Sequence, residues 1–249
     1  MRTTPAGLTI RPIDGAPPGP VTLTGPPRAI RGQLRLGNDS NERVAVRGFA
    51  VRAKSLELSE GRGSLRARLE PGVSTDLDAT LSLARTTPPG DYQVRLDVNG
   101  QEVEALVRVS ADPSLRVTPS MVLAGAGSTT VQLEIANTGN VSLDLPVLAR
   151  SRLVADAEVA PPLFGGSSTT GTPTDVDVVL RLKKAVALAP GAKQQIDAVV
   201  DVPEGLDAER RYLALLPLST ATLRVIVPPT EKTSAPKRRT TATARRNDV

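Results

Sequence analysis

Two pairs of aspartates come closest to a pattern that could do chemistry. Asp76 and Asp78 are two residues apart, and so are Asp175 and Asp177. Paired carboxylates can act as general acid and base, or can bind a hard cation through oxygen. In a strand, however, side chains two residues apart share one face, and these acids lie on the polar face of predicted strands. The spacing therefore favours two solvated strand faces over a catalytic pair.

The residue types that the chain lacks exclude several kinds of catalytic and metal-binding site. The chain has no histidine and no cysteine. Histidine-based catalysis, cysteine nucleophiles and zinc sites with imidazole or thiolate ligands are therefore excluded. No loop has the dense acids typical of a calcium site, and the glycines at 61–63 and 125–127 lack the context of a phosphate-binding loop. We expect no enzyme activity, catalytic residue, metal, cofactor or small-molecule substrate.

A strand-and-turn phrase, repeated at an offset of 99 residues, organises the chain. Residues 33–41 read QLRLGNDSN, and residues 132–140 read QLEIANTGN. Leu and Ile alternate with polar residues, which indicates a half-buried strand, and the residues that follow favour a turn. A second landmark, Leu-x-Pro-Gly, recurs at 69–72 and 188–191 with an offset of 119 residues. The second copy therefore contains an insertion of 20 residues, which we place near 160–175.

The spacing of strand patterns and turn signals predicts an all-β fold. Each copy has about seven candidate strands, and the chain contains 20 glycines and 22 prolines. We predict two tandem immunoglobulin-like β-sandwich domains, residues 1–111 and 112–228, followed by a disordered basic tail, residues 229–249. Tyr92 and Tyr212 fall at the same place in the repeat. They predict tyrosine corners, in which the hydroxyl bonds the backbone of the preceding loop.

Three features are candidates for contact with a partner. Phe164, in the inserted loop, either packs the loop onto its own domain or is an exposed anchor. The closing strand, with Val225 and Val227, is a candidate exposed edge. The tail either stays solvated, orders against a neighbouring subunit, or contacts nucleic acid or another polyanion without sequence specificity. The basic residues that would make those contacts are Lys237, Arg238, Arg239, Arg245 and Arg246.

Charge and hydropathy narrow the range of cellular locations that we expect for the protein. The formal net charge is +5, and residues 228–249 supply +4 of it, so the body is close to neutral. No apolar run is long enough to span a bilayer, and the N-terminus lacks the apolar segment of a secretory signal. We expect a cell-envelope, extracellular or virion-type location rather than that of a free cytosolic enzyme.

The repeated motifs resemble a known group of modules. The strand that runs into Asn-Thr-Gly-Asn at 137–140, the Leu-x-Pro-Gly turn, and Gly90-Asp91-Tyr92 before a strand resemble the bacterial and archaeal immunoglobulin-like modules of the NEW3/CARDB type. These modules belong to a broad group that includes major sperm protein and the pilus chaperones. The resemblance covers most of residues 8–227, twice over. It implies β-sandwiches that serve as spacers, adhesin segments, chaperones or accessories of carbohydrate-active enzymes.

The leading functional hypothesis is a non-enzymatic structural or interaction protein. It would be a scaffold or decoration component of a larger assembly, such as the cell envelope, a virion or an injection apparatus. Its partners would be other proteins or copies of itself. One alternative is a periplasmic chaperone-like binder that acts by edge-strand donation. Another is a protein that binds polyanions or nucleic acid through the basic tail.

Overall fold

β-strands are the only regular elements in the described part of the protein. The computed structural model describes residues 7–15, 19–53, 61–155 and 172–229, and these form two sets of ten strands. Among them there is no helix that could span a membrane. The first set is β1 Leu8–Arg11, β2 Val21–Gly25, β3 Ile30–Asn38, β4 Val44–Val46, β5 Phe49–Ala53, β6 Gly61–Ser64, β7 Ala67–Leu69, β8 Ser74–Ser82, β9 Gly90–Val98 and β10 Gln101–Val109. The second set is β11 Leu115–Thr118, β12 Met121–Leu123, β13 Gly127–Asn137, β14 Leu143–Leu145, β15 Leu148–Ala155, β16 Thr172–Leu182, β17 Val186–Leu188, β18 Lys193–Val202, β19 Tyr212–Leu218 and β20 Ala221–Val227.

The two sets have the same topology. In the first, β3 pairs with β1 and β8, whereas β10 lies between β9 and β2, and β9 also pairs with β5. In the second, β13 pairs with β11 and β18, and β20 lies between β19 and β12, with β15 beyond β19. Each set is therefore a mostly antiparallel sandwich with one parallel pair, β2 with β10 in the first set and β12 with β20 in the second, and in the first set β2 also pairs with β3. The protein is all-β, with two tandem immunoglobulin-like sandwiches, as the sequence predicts.

Each sandwich encloses its own core because its strands alternate apolar and polar residues. In β18, the alternate side chains Ile196, Ala198, Val200 and Val202 are all buried. The first core draws on residues from Leu8 to Val109, and the second on residues from Leu115 to Val227. The predicted boundary between residues 111 and 112 lies in the segment between β10 and β11.

The strand of the repeated phrase ends on a buried asparagine that fixes the following turn. The Asn38 side chain donates from Nδ2 to the carbonyl oxygens of Glu42 (2.7 Å) and Leu69 (3.1 Å). At the equivalent place, Asn137 Nδ2 donates to the carbonyl oxygens of Val141 (2.8 Å) and Leu188 (2.9 Å). Asn137 Oδ1 accepts a hydrogen bond from the N–H of Gly139. The asparagine thus ties the turn to the strand pair formed by β14 and β17, and Asn38 does the same for β4 and β7.

The second copy of the phrase also forms the junction between the sandwiches. Asn140 is buried and donates from Nδ2 to the carbonyl oxygens of Thr87 and Ser110 in the first sandwich, both at 3.0 Å. Its Oδ1 accepts from the N–H of Asp112 at 2.6 Å. A Cβ atom at Gly139 would lie 2.0 Å from the Asp112 carbonyl oxygen, so the close approach requires glycine there.

Both predicted tyrosine corners are confirmed. The Tyr92 hydroxyl donates to the carbonyl oxygen of Pro88 at 2.8 Å, and the Tyr212 hydroxyl accepts from the N–H of Asp207 at 3.0 Å. Each tyrosine therefore holds the loop that leads into its own strand, β9 or β19.

The structure corrects three expectations. Each sandwich has ten strands rather than about seven, because β4, β7, β14 and β17 are three residues long and too short to show a period. Residues 172–175 of the predicted loop belong to β16, where they extend the ladder with β15; residues 160–171 lie outside the described ranges. The strand from Leu223 to Val227 is not an exposed edge, because β20 pairs with β19 on one side and β12 on the other.

Candidate functional site

The residues predicted to contact a partner do not form a common surface. Val225 and Val227 are 0% and 6% exposed and point into the second core, so neither side chain reaches solvent. Phe164 lies outside the described ranges. So do the tail residues Lys237, Arg238, Arg239, Arg245 and Arg246, and the role predicted for each of these six residues stays a prediction.

The edge of the second sandwich lies one strand further out than predicted, at β12. This strand is last in its sheet, and within the described residues it pairs only with β20. The Ser120 carbonyl and the Ala124 N–H bond to β20. Because alternate residues of a strand direct their backbone groups to opposite sides, the N–H and C=O groups of Met121 and Leu123 point to the open side. Their side chains are 50% and 62% exposed.

An apolar row runs from this edge across the outer face of the sheet. Leu123 on β12 is in register with Ile226 on β20, Ile226 with Leu213 on β19, and Leu213 with Val154 on β15. We call these four residues the apolar row. In the adjacent row, Met121 and Leu215 are on either side of Arg224, and Leu215 is 47% exposed. Ile226 is itself buried and Leu213 and Val154 are half-buried, so the exposed apolar area of this face is supplied mainly by Met121, Leu123 and Leu215.

The same face of the first sandwich is mostly polar. Thr22 on β2, Leu106 on β10 and Gln93 on β9 are in register where the second sandwich has Leu123, Ile226 and Leu213, and Thr24, Arg108 and Asp91 form the next row. Arg108 Nε donates to an Asp91 carboxylate oxygen at 2.9 Å, and this hydrogen bond raises the pKa of the Arg108 guanidinium. The fold therefore does not require apolar residues at the positions of Leu123 and Leu213, where the first sandwich has Thr22 and Gln93.

The apolar face combines exposed apolar side chains with the open edge of β12. Across residues 7–15, 19–53, 61–155 and 172–229, no group of three His, Cys, Asp or Glu side chains could hold a metal ion. What the face offers is apolar area beside a strand edge with open hydrogen-bonding groups. That combination favours an added β-strand whose apolar side chains lie over the sheet.

The sequence analysis did not predict this apolar face, although the sequence of β19 indicates it. Residues 212–218 read YLALLPL, so apolar residues occupy both faces of β19 instead of alternating. The corresponding stretch of the first copy, residues 90–98, reads GDYQVRLDV and alternates as expected for a half-buried strand. A strand that is apolar on both faces is covered on both faces in many proteins, and the run of apolar residues in β19 predicts such a cover.

Comparison with known proteins gives only distant structural likenesses. No family model and no curated protein matches the sequence. The Escherichia coli chaperone DraB is similar at 13% identity and a TM-score of 0.30, over 89% of this chain and 98% of DraB. A chain of the chaperone–tip adhesin complex of CFA/I fimbriae biogenesis is similar at 12% identity and a TM-score of 0.27, over 90% and 100%.

A third structural similarity covers a much smaller part of this chain. The Pseudomonas fluorescens alkylpurine DNA glycosylase AlkC is similar at 17% identity and a TM-score of 0.26, over 48% of this chain. The matched part spans 30% of the AlkC chain. At these scores none of the likenesses bears on function, and the fold assignment stands on the strand pairing of this chain itself.

Proposed function

We propose that this chain is a non-enzymatic structural or interaction protein that binds a partner protein through its second sandwich. The observation that carries the proposal is the apolar row, which crosses four strands in register and reaches an open edge at β12. The partner would be a polypeptide strand that adds to β12 and covers the row with its own apolar side chains. Such a role is that of a component in a larger assembly.

The physical argument rests on two contributions that act together. The open N–H and C=O groups of Met121 and Leu123 provide directional backbone hydrogen bonds, which fix the register of an added strand. Because β12 is three residues long, these bonds are few. Burial of the exposed apolar side chains beside the edge supplies the larger part of the free energy, at about 25 cal/mol for each Å² of apolar surface removed from water.

The chaperone-like alternative uses the same edge but differs in the fate of the partner. A scaffold component retains the strand that it binds, whereas a chaperone-like binder releases the strand when a competing strand arrives. A chase with an excess of unlabelled partner therefore separates the two. A complex that persists through the chase supports the scaffold role, and exchange supports the chaperone-like role.

Site-specific photocrosslinking tests the proposed surface. A photoreactive amino acid replaces Leu123 in the full-length chain, and the matched control replaces Thr22, which has the equivalent position in the first sandwich. In extract of the source cells we expect a discrete, saturable adduct from position 123 and none from position 22. Leu215→Lys should lower the adduct yield from position 123 at least about tenfold, since a charge under the added strand must be desolvated. Equal adducts from both positions, or no adduct from position 123, would refute the proposal.

A further inference from the structure

A groove in the first sandwich is lined by four arginines. It lies over the two-stranded sheet of β4 and β7 and has a volume of about 740 Å³. Ala45 lies between Arg43 and Arg47 on the outward side of β4, so the surface of the groove there is low and apolar. We call it the arginine groove. The arginines are Arg43, Arg47, Arg66 and Arg68, and all four are exposed.

The positive charge of the groove is only partly neutralised. Arg43 donates to a carboxylate oxygen of Glu70, from Nε at 2.6 Å and also from Nη2, and this contact raises the pKa of Arg43. Within the described ranges no ion pair joins Arg47, Arg66 or Arg68 to an acid. Three guanidinium groups therefore face a shared space in which no acid of the described residues pairs with them.

The second sandwich shows that the fold does not demand these arginines. Its two-stranded sheet of β14 and β17 pairs in the same register as β4 and β7. Aligning the two ladders puts small or uncharged residues at all four equivalent positions. Those residues are Ser142, Pro146, Ala185 and Ala187.

The groove lies at the free end of the molecule. Asn99, in the hairpin turn between β9 and β10, donates from Nδ2 to the Ala45 carbonyl oxygen at 3.0 Å, which places β4 beside that turn. The junction contacts, at Thr87 and Ser110, lie at the opposite ends of the same two strands. A nine-residue strand spans about 30 Å, so the second sandwich does not cover the groove.

The spacing of the charges points to the kind of ligand. Arg66 and Arg68 are two residues apart on the outward side of β7, and Arg43 and Arg47 are at either end of β4. Alternate side chains of an extended peptide repeat at about 6.6 Å, which matches the interval between Arg66 and Arg68. Guanidinium groups favour carboxylates because their N–H groups match the two oxygens, and Arg43 already binds one in Glu70.

We propose that the arginine groove binds an extended acidic segment of a partner protein, with alternate Glu or Asp side chains paired to Arg66 and Arg68 and the peptide backbone lying over Ala45. A nucleic acid fits less well, since no aromatic side chain lines the groove to stack on bases. This site is independent of the apolar row, which lies on the other sandwich.

Fluorescence anisotropy with a labelled peptide of alternating Glu and Thr tests the proposal on the full-length chain. The double variant Arg66→Glu/Arg68→Glu should weaken binding roughly 100-fold, and Arg66→Gln/Arg68→Gln at least about tenfold, since each lost charge-assisted hydrogen bond counts for about a factor of ten. The matched control is Arg150→Glu/Arg152→Glu, which makes the same change at the same spacing on exposed positions of β15.

A second control separates the groove from the tail. A full-length variant with Gln at positions 237, 238, 239, 245 and 246 should keep its affinity for the peptide within about threefold, since those charges lie outside the groove. The proposal is overturned if this variant loses binding, if Arg150→Glu/Arg152→Glu weakens it as much as the groove variants, or if none of the groove variants weakens it. It is also overturned if a single-stranded DNA of equal charge binds more tightly than the peptide with the same dependence on Arg66 and Arg68.

Discussion

At the residue scale, the two buried asparagines show how a polar side chain can set a local fold. Asn38 and Asn137 satisfy donor and acceptor groups inside the protein, and each ties the end of a long strand to a turn and to a separate strand pair. Neither position tolerates an apolar substitute easily, because the backbone carbonyls that the amide serves are themselves away from water.

We expect Asn137→Ala to lower the free energy of unfolding of the second sandwich by about 2–4 kcal/mol, because the carbonyl oxygens of Val141 and Leu188 lose their donor. Asn137→Asp should also destabilise it, since a carboxylate cannot donate. Chemical denaturation of the full-length chain measures the effect. A loss below about 0.5 kcal/mol, the usual range for surface substitutions, would show that the amide is not needed.

At the element scale, one glycine allows an aromatic side chain to lie across a strand pair. Gly63 on β6 is paired with Phe49 on β5, and a Cβ atom at Gly63 would lie 1.9 Å from the Phe49 ring. Because the ring is buried, it has little space into which it can move. The glycine is therefore a packing requirement of the first sandwich.

Gly63→Ala should destabilise the first sandwich by about 1–3 kcal/mol, since overpacking of a filled core has this typical cost. The matched control is Gly125→Ala, where the added Cβ has no neighbour within 4 Å. Thermal unfolding followed by circular dichroism should show a lower midpoint for the first variant and an unchanged midpoint for the second. Equal midpoints for both variants would contradict the packing argument.

The elements that sequence reasoning found are the ones with a clear period. Alternation predicted the half-buried strand of the repeated phrase in both copies, and the tyrosine placement predicted both corners. The three-residue strands were missed because they hold too few residues for alternation to be visible. The open edge was placed on β20 instead of β12, because the pairing partner of a strand is a non-local property.

The two candidate surfaces escaped sequence reasoning for different reasons. The arginine groove joins residues from two strands that are about twenty positions apart in sequence, and the near-neutral total of the body concealed it. In the sequence, the apolar row is visible only as a loss of alternation in β19. The residues of the other strands that complete the row are known only from the register of strand pairing in the structure.

At the scale of the whole molecule, Asn140 determines how the sandwiches are joined. Its amide contacts Thr87, Ser110 and Asp112, so one side chain connects the loop before β9, the end of β10 and the linker. The equivalent residue of the first sandwich, Asn41, is exposed. The junction is therefore an addition to the repeated phrase, made where the second copy has Gly139 and Asn140.

We expect Asn140→Ala to loosen the orientation of one sandwich relative to the other while each core stays folded, since the lost bonds contribute roughly 1–3 kcal/mol to the junction alone. Residual dipolar couplings should then give different alignment tensors for the two sandwiches, where the parent chain gives one shared tensor. Asn41→Ala is the control and should leave the shared tensor intact. A shared tensor in the Asn140→Ala variant would show that other contacts hold the junction.

The two tyrosine corners have a consequence for spectroscopy. The chain contains two tyrosines and no tryptophan, and each sandwich holds one of the tyrosines at the entry to an equivalent strand. Each domain thus carries a single intrinsic fluorophore whose hydroxyl is engaged only while the adjoining loop is in place. Ultraviolet emission of the unlabelled protein consequently reports on the two domains through one chromophore apiece, with no tryptophan signal to obscure either.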